Sequence, residues 1–281
     1  MGTGMAHNLL RAGHQLSVYN RTPEKAVLFE RAGARVAAAP ADACRDSEVV
    51  FTMLADDLAV DDVVFGEQGI VTALRPGAVH ASNSTISTAM ARKLATEHGK
   101  RAQRFISAPV FGRPAAAENK QLVVVAAGPD DVIDQCRPLF DAIGRQTFVA
   151  GSEPWQANAV KLCGNFMIAS MLETFGEAYA ALRKAGVDPH LFLDTMNALF
   201  GSPVYANYGR IVADQKFEPA GFALRLGLKD ARLVLQMAEE CASPMPLASL
   251  IRDRLLAALA RGQGDLDWSS VAKISEINAG L

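Results

Sequence analysis

One stretch of the chain combines a lysine with two amides at helical spacing. Lys161 and Asn165 are four residues apart in a breaker-poor stretch that predicts one long helix, so they share a face, and Asn158 extends that face by a turn. Apolar residues surround them: Val160, Leu162, Phe166 and Met167. A lysine in such surroundings either extends its ammonium to water or lies in a cleft where burial favours its neutral form. The second placement would suit proton transfer to and from a substrate.

A second group of candidate residues lies near the start of the chain. Met1 to Gly13 is typical of a helix that ends at a glycine, and Gln15 to Tyr19 alternates as a strand does. Asn20, Arg21 and Thr22 follow this strand. In a Rossmann unit an acid at this position favours NAD, whereas an arginine accommodates the 2'-phosphate of NADP. No acid is present, which indicates NADP over NAD, although Asn-Arg-Thr is also a common turn.

The glycine-rich part of a dinucleotide fingerprint is incomplete in this sequence. Gly2 fits the third glycine of G-x-G-x-x-G, and the two earlier glycines and the strand before them have no counterpart. That strand is central in a Rossmann sheet, and its loss would leave buried backbone groups unpaired. We therefore expect Met1 to be an internal methionine, with the first strand lying upstream.

The elements predicted around these residues form two domains. Residues 1–151 alternate short strands with helices, as in a parallel sheet covered on both faces, although Pro109 to Asn119 is expected to be a loop. Residues 152–281 contain helices only, beginning with one that extends to Lys184 and is roughly 45 Å long. The expected fold is thus an α/β Rossmann-type domain without its first strand, joined by a long helix to an all-α C-terminal domain for substrate binding and dimerisation.

Composition excludes several classes of function. The 281 residues include 28 basic and 30 acidic side chains, a net charge of -2 that does not suggest nucleic-acid binding. The four cysteines form no CxxC pair and the five histidines have no metal-ligand spacing, so we expect no metal site. No signal peptide or membrane-spanning run is visible, and we expect a cytoplasmic protein.

Several short motifs, in order and spacing, resemble the β-hydroxyacid dehydrogenases. The matching segments are Met1-Gly-x-x-Met-Ala-x-Asn-Leu-Leu-x-Ala-Gly-His14, Asn20-Arg-Thr22, Thr52-Met-Leu54, Ser84-Thr-Ile-Ser87, Ala108-Pro-Val110, Lys161-Leu162 with Asn165, and Lys229-Asp230. The family includes 3-hydroxyisobutyrate dehydrogenase and the tartronate, glyoxylate or succinic semialdehyde reductases, with 6-phosphogluconate dehydrogenase as a larger relative. The resemblance covers essentially the whole chain.

The resemblance implies a role for each matched residue. Lys161 would be the general acid in carbonyl reduction and the general base in alcohol oxidation, and Asn165 would orient the substrate hydroxyl or the lysine. The implied cofactor-binding residues are Gly2, Asn20, Arg21, Thr22, Met53, Leu54, Thr85 and Lys229. Thr85 would also contact the substrate. From the residues alone, Thr85 is equally suited to a helix N-terminus, Met53 and Leu54 to the core, and Lys229 to a solvated helix face.

One segment departs from the family pattern. The family usually has A-P-V-S-G-G, whose serine and glycine amides bind the substrate carboxylate, whereas this chain has Phe111, Gly112 and Arg113 after Ala-Pro-Val. Phe111 lacks a hydrogen-bond donor, but Arg113 is able to bind a carboxylate through two hydrogen bonds. The alternative is a more apolar pocket that accepts another carbonyl or an imine. We expect Phe111, Gly112 and Arg113 to line the substrate site.

These observations together predict an NADP-dependent oxidoreductase. It would transfer hydride between the nicotinamide and a small hydroxy acid or semialdehyde. The alternatives are an imine reductase-like enzyme of the same fold and a non-catalytic NADP-binding dimeric scaffold. The long apolar helix needs more cover than the other helices supply, so a homodimer or homotetramer is expected.

Overall fold

The computed structural model of the protein describes residues 1–281. The chain folds into two compact units, Met1–Lys161 and Leu162–Leu281. The first unit contains all the strands: β1 (Ser17–Val18), β2 (Arg35–Val36), β3 (Val49–Thr52), β4 (Val79–Ser82), β5 (Arg104–Ser107), β6 (Val110–Phe111), β7 (Leu122–Ala127) and β8 (Gly144–Gly151).

The strands form two sheets in which parallel pairing dominates. β1 and β2 make a parallel pair of their own. The six-stranded sheet has the order β3-β4-β5-β7-β6, with β8 paired to β7. Its β3–β4, β4–β5 and β7–β8 pairs are parallel, whereas β7 runs antiparallel to β5 and β6.

Helices follow most strands of the first unit. They are α1 (Gly2–Arg11), α2 (Pro23–Val27), α3 (Pro40–Cys44), α4 (Asp57–Phe65), α5 (Ile70–Ala73), α6 (Thr88–Gly99), α7 (Pro114–Glu118) and α8 (Asp130–Ile143). Two apolar clusters stabilise this unit: one contains Ile106, Val124 and Phe140, and the other contains Val60, Ile86 and Leu94.

The expected loop over Pro109–Asn119 is wrong, because this segment contains both β6 and α7. Pro114 occupies the first turn of α7, where its missing N–H costs nothing, and three alanines follow it with high helix propensity. The helix packs closely against α1, since a Cβ at Gly4 would lie 2.8 Å from backbone atoms of α7. After β1, α2 ends at Val27, and a 3-10 turn covers Glu30–Ala32.

The second unit is all-helical. α9 (Trp155–Lys184) begins in the first unit and continues into the second, followed by α10 (Pro189–Phe200), α11 (Pro203–Ala213), α12 (Leu224–Glu240), α13 (Pro246–Ala260) and α14 (Ala272–Asn278). Its core includes Leu172, Tyr179, Leu193 and Trp268, all nearly inaccessible to solvent. None of the helices has both the length and the hydropathy that a membrane-spanning helix requires.

Candidate active site

The parallel strands β3, β4 and β5 end at one edge of the larger sheet, and hydrogen bonds connect the segments that follow them. After β3, the Leu54 amide donates a hydrogen bond of 2.8 Å to Oγ of Ser84, a residue just beyond β4. After β4, Asn83 Nδ2 donates to the Ala108 carbonyl at 2.7 Å, just beyond β5. Met53 and Thr85 adjoin these anchored residues. The carboxyl ends of parallel strands form the crevice in which such sheets bind ligands.

The start of α1 lies beside this edge. A Cβ built on Gly2 would lie 3.8 Å from the Met53 Cβ, so Gly2 brings backbone close to the segment after β3. The first N–H groups of a helix have no partner within the helix, and together with the helix dipole they favour a bound phosphate. Gly2, Met53 and Leu54 therefore lie together at the edge of the sheet where such sheets bind ligands.

Asn20, Arg21 and Thr22 form an exposed turn between β1 and α2. Asn20 Oδ1 accepts a hydrogen bond from the Thr22 amide at 2.9 Å. Thr22 is the N-cap residue of α2, although its side chain makes no capping bond. The turn interpretation and the cofactor interpretation are compatible, because the turn leaves the Arg21 side chain exposed, where it could meet a phosphate.

Lys161 is buried against an aromatic ring. Only 8% of the residue is exposed, and its Nζ lies 4.0 Å from the centroid of the Phe111 ring. Phe111 itself packs against Val125, Ala127 and Ala157, which fix the ring. An ammonium over a ring face is attracted by the ring quadrupole, more strongly when water is excluded. The Lys161 side chain is therefore not solvated. Phe111 contacts its ammonium through the ring face, which the serine that the family usually has at this position would not do.

The residues after Phe111 have a constrained backbone. Gly112 has a φ of 139°, and a Cβ there would lie 2.7 Å from Leu122 Cδ2, so a larger residue would strain this turn. Arg113 is the N-cap residue of α7 and is half-buried, with Nη1 of its guanidinium inaccessible. The turn therefore holds Arg113 in a defined position two residues after Phe111.

In the second unit, Asn165 belongs to a hydrogen-bonded group with α12. Its Nδ2 donates to Asp230 Oδ2 at 2.6 Å, and Lys229 Nζ lies 3.0 Å from Asp230 Oδ1. Asp230 is only 3% exposed. The carboxylate fixes the direction of the Asn165 amide, a role that the sequence did not reveal. The sequence indicated Asp230 only as part of the Lys229-Asp230 segment that matches the family, without a role of its own.

Replacing Asp230 with alanine is expected to lower kcat about tenfold, because Asn165 loses the acceptor that orients it and Lys229 loses its counter-charge. Asp230→Asn keeps an acceptor for Asn165 and should retain more activity. Steady-state kinetics of both variants, with circular dichroism to verify folding, would test this. Equal activity of Asp230→Ala and the unmodified protein would show that Asp230 does not orient Asn165 for catalysis.

A buried polar chain behind β3 was also missed. Thr52 Oγ1 lies 2.9 Å from His80 Nε2, and His80 Nδ1 lies 2.8 Å from His98 Nε2. His98 Nδ1 lies 2.7 Å from Gln103 Oε1, and the Gln103 amide donates to the Val71 and Leu74 carbonyls. Burial lowers the pKa of His80 well below its usual value, and the neighbouring His98 lowers it further. Burial lowers the pKa of His98 to about 4, although the bond to Gln103 opposes this.

Comparison with known proteins decides the family. Residues 1–151 match the NAD binding domain of 6-phosphogluconate dehydrogenase, and residues 156–275 match the NAD-binding domain of NADP-dependent 3-hydroxyisobutyrate dehydrogenase. The chain belongs to the β-hydroxyacid dehydrogenase family. The resemblance inferred from the short motifs is confirmed, as is the architecture of a Rossmann-type domain followed by a helical domain.

Individual members of the β-hydroxyacid dehydrogenase family match nearly the whole chain. This chain is 44% identical to the uncharacterized oxidoreductase YfjR of Bacillus subtilis, over 97% of this chain and 96% of that protein. It is 30% identical to glyoxylate/succinic semialdehyde reductase 1 of Arabidopsis thaliana, over 96% and 93%. A structure of 3-hydroxyisobutyrate dehydrogenase from Salmonella typhimurium superposes with a TM-score of 0.87 at 25% identity, covering 97% and 95%.

A different relative is longer than this chain. The chain is 31% identical to the human cytokine-like nuclear factor N-PAC, but it spans only about half, 49%, of that protein.

Membership of the β-hydroxyacid dehydrogenase family makes the protein an NAD(P)-dependent oxidoreductase that acts on CH–OH groups, of the hydroxy acid and semialdehyde type. The predicted enzyme class is therefore confirmed.

Proposed function

We propose that the protein is an NADP-dependent reductase of small semialdehydes or keto acids, with Lys161 as its general acid. The observation that carries this proposal is the burial of Lys161 with its ammonium held over the Phe111 ring. Removing an ammonium from water into an apolar setting is costly. A lysine that is buried despite this cost is therefore a candidate for a functional role of its charge. Proton transfer to a substrate oxygen is such a role.

When bound, NADPH would supply the hydride that reduces the carbonyl carbon. Negative charge then develops on the carbonyl oxygen, and the Lys161 ammonium stabilises that charge and donates a proton to it, giving the alcohol. In the oxidative direction neutral Lys161 takes the hydroxyl proton. Phe111 excludes water from one side of the ammonium, and Asn165, directed by Asp230, orients the substrate hydroxyl or the lysine.

Arg113 is the proposed anchor for the substrate carboxylate. A guanidinium offers two parallel N–H donors that match a carboxylate, and it would replace the serine and glycine donors that the family usually has at this turn. The half-buried position of Arg113, fixed by Gly112 and α7, supports this role. Gly2, Thr85 and Lys229 are proposed to contact the cofactor, and Thr85 the substrate as well.

The proposed preference for NADP rests on Arg21. Arg21→Ala is expected to raise KM for NADPH about tenfold or more, because a charge-assisted bond to the 2'-phosphate is lost, while KM for NADH stays unchanged. Arg31→Ala, which removes an exposed arginine from the nearby 3-10 turn, is the matched control and should change neither constant. An equal effect of Arg21→Ala on both cofactors would contradict this assignment.

A substrate screen tests the proposed reaction. NADPH and NADH are each offered with glyoxylate, succinic semialdehyde, 2-hydroxy-3-oxopropanoate, methylmalonate semialdehyde and a cyclic imine, and absorbance at 340 nm is followed. Consumption of NADPH with one of the acids is expected. Activity on the imine alone would favour the second candidate, an imine reductase-like enzyme, in which the Phe111 ring would be the wall of an apolar pocket.

We also propose that the helical unit self-associates into a homodimer or homotetramer. α9 carries Met167, which is 70% exposed, and α10 ends in Leu199 and Phe200, which are 70% and 57% exposed. Leu199 and Phe200 are neighbours in the sequence, and large apolar side chains left exposed are typical of surfaces that bind another protein.

A further inference from the structure

Asn158 has a polar side chain in an environment that leaves it unpaired. The residue is completely buried, and neither its Nδ2 nor its Oδ1 has a hydrogen-bond partner in the protein. Buried amides are almost always hydrogen-bonded, because an unpaired buried donor or acceptor destabilises the folded state. Asn158 therefore has the features of a side chain whose partner is a ligand.

The position of Asn158 indicates where that ligand would lie. Asn158 and Lys161 are three residues apart on α9, so their side chains leave the helix on one face about 5–6 Å apart at Cβ. Ala157, the residue before Asn158, packs with Val125 and Ala127 of β7, the same cluster that supports the Phe111 ring. A group bound by Asn158 would thus lie on the same face of α9 as Lys161, within one helical turn of it.

The chemistry of the amide restricts what this group is. Nδ2 donates and Oδ1 accepts, so the partner must offer both an acceptor and a donor. Carboxylate and carbonyl oxygens only accept, and either of them would leave Oδ1 unpaired. A hydroxyl group offers a proton and lone pairs on one atom, and it satisfies both ends of the carboxamide.

We propose that Asn158 is a specificity-determining residue that binds a hydroxyl on the substrate carbon next to the reacting carbonyl. This proposal rests on the proposed function, in which Lys161 protonates a semialdehyde or keto acid. A buried site built to hydrogen-bond a hydroxyl strongly rejects the analogue that lacks it, because the polar groups of the site are then left unpaired. The protein should accordingly prefer hydroxylated semialdehydes to their deoxy counterparts.

Two substrates that differ only in this hydroxyl test the proposal: 2-hydroxy-3-oxopropanoate and 3-oxopropanoate. The unmodified protein is expected to show a kcat/KM at least about 100-fold higher for the hydroxylated compound. Asn158→Leu has nearly the same volume and no polar group, and it should reduce this preference to within about threefold. Asn197→Leu on α10 is the matched control, because it removes another amide with a buried unpaired oxygen and should keep the preference.

Thermal unfolding without ligand separates recognition from a structural role. Asn158→Leu should unfold at the same temperature as the unmodified protein or at a higher one, since an unpaired buried amide is removed. A midpoint several degrees lower would show that the amide stabilises the fold and would overturn the proposal. A hydroxyl preference that is absent in the unmodified protein, or retained in Asn158→Leu, would overturn it as well.

Ligand binding keeps this test distinct from that of the proposed function. With NADP⁺ present, 2,3-dihydroxypropanoate should raise the unfolding midpoint more than 3-hydroxypropanoate does, and this difference should disappear in Asn158→Leu. Lys161→Ala should keep the difference while losing turnover of both aldehydes. If neither aldehyde is reduced but the difference in binding is present, the proposed function fails and the role of Asn158 stands; if the two acids bind alike, Asn158 does not read the hydroxyl.

Discussion

Lys161→Ala is expected to lower kcat for carbonyl reduction by about 10²–10⁴-fold, because the group that neutralises and protonates the developing alkoxide is lost. The affinity for NADPH should change little, since the lysine is assigned to the substrate oxygen. The measurement is steady-state kinetics at 340 nm together with fluorescence titration of NADPH. Removing the ammonium also removes its contact with Phe111, so circular dichroism must show an intact fold.

The control for this substitution is on the same helix. Lys184→Ala removes an exposed lysine from the last turn of α9 and should leave kcat and cofactor affinity unchanged. If Lys161→Ala kept more than a tenth of the activity, general acid catalysis by Lys161 would be excluded. Loss of NADPH binding along with activity would instead place the lysine at the cofactor.

Acid is expected to destabilise the protein through the buried histidine pair. The Gln103 amide donates to two backbone carbonyls, so its oxygen accepts from His98 Nδ1, and we assign the neutral form to both histidines. Burial lowers the pKa of both rings, for His98 to about 4, whereas an unfolded histidine titrates near 6.5. Between these values the unfolded chain binds protons that the folded chain does not bind.

The sign of the effect follows from this difference. The free energy of unfolding is highest above about pH 6.5, where the histidines are neutral in both states. It falls progressively as the pH drops towards 4, by about 3 kcal/mol for His98, and His80 acts in the same direction. Urea unfolding between pH 7.5 and 4.5 measures it. His98→Gln has no titrating ring and should flatten the dependence, whereas His14→Gln, outside the chain of hydrogen bonds, should keep it. A free energy of unfolding that is constant across this range would refute the neutral buried pair.

The sequence alone predicted the parts of this fold that periodicity and spacing determine. Alternation and turn residues indicated the parallel strands, and a breaker-poor stretch indicated α9 almost to the residue. The placing of Lys161 and Asn165 on one helix followed from their spacing. The role of Lys161 did not follow, because a lysine with apolar neighbours in sequence reaches solvent in many helices; the Phe111 ring, 50 residues away along the chain, decides its environment.

The remaining features depend on interactions between distant segments. Asp230 meets Asn165 across 65 residues, and His80 meets His98 because β4 and α6 pack together. No local pattern indicates such pairs. A loop is the wrong prediction for α7 because proline and glycine next to it are turn residues elsewhere; Pro114 in its first turn, the alanines that follow and its packing on Gly4 together stabilise the helix.

The most direct test of the central claim is the fate of the hydride. The protein is incubated with NADPH deuterated at the transferring position of C4 and with each carbonyl of the screen, and the products are analysed by mass spectrometry. We expect a hydroxy acid one mass unit heavier, with deuterium on the former carbonyl carbon, and at least about 100-fold less of it in the same time with Lys161→Ala. Tight NADPH binding without deuterium transfer to any carbonyl would contradict the proposed reaction.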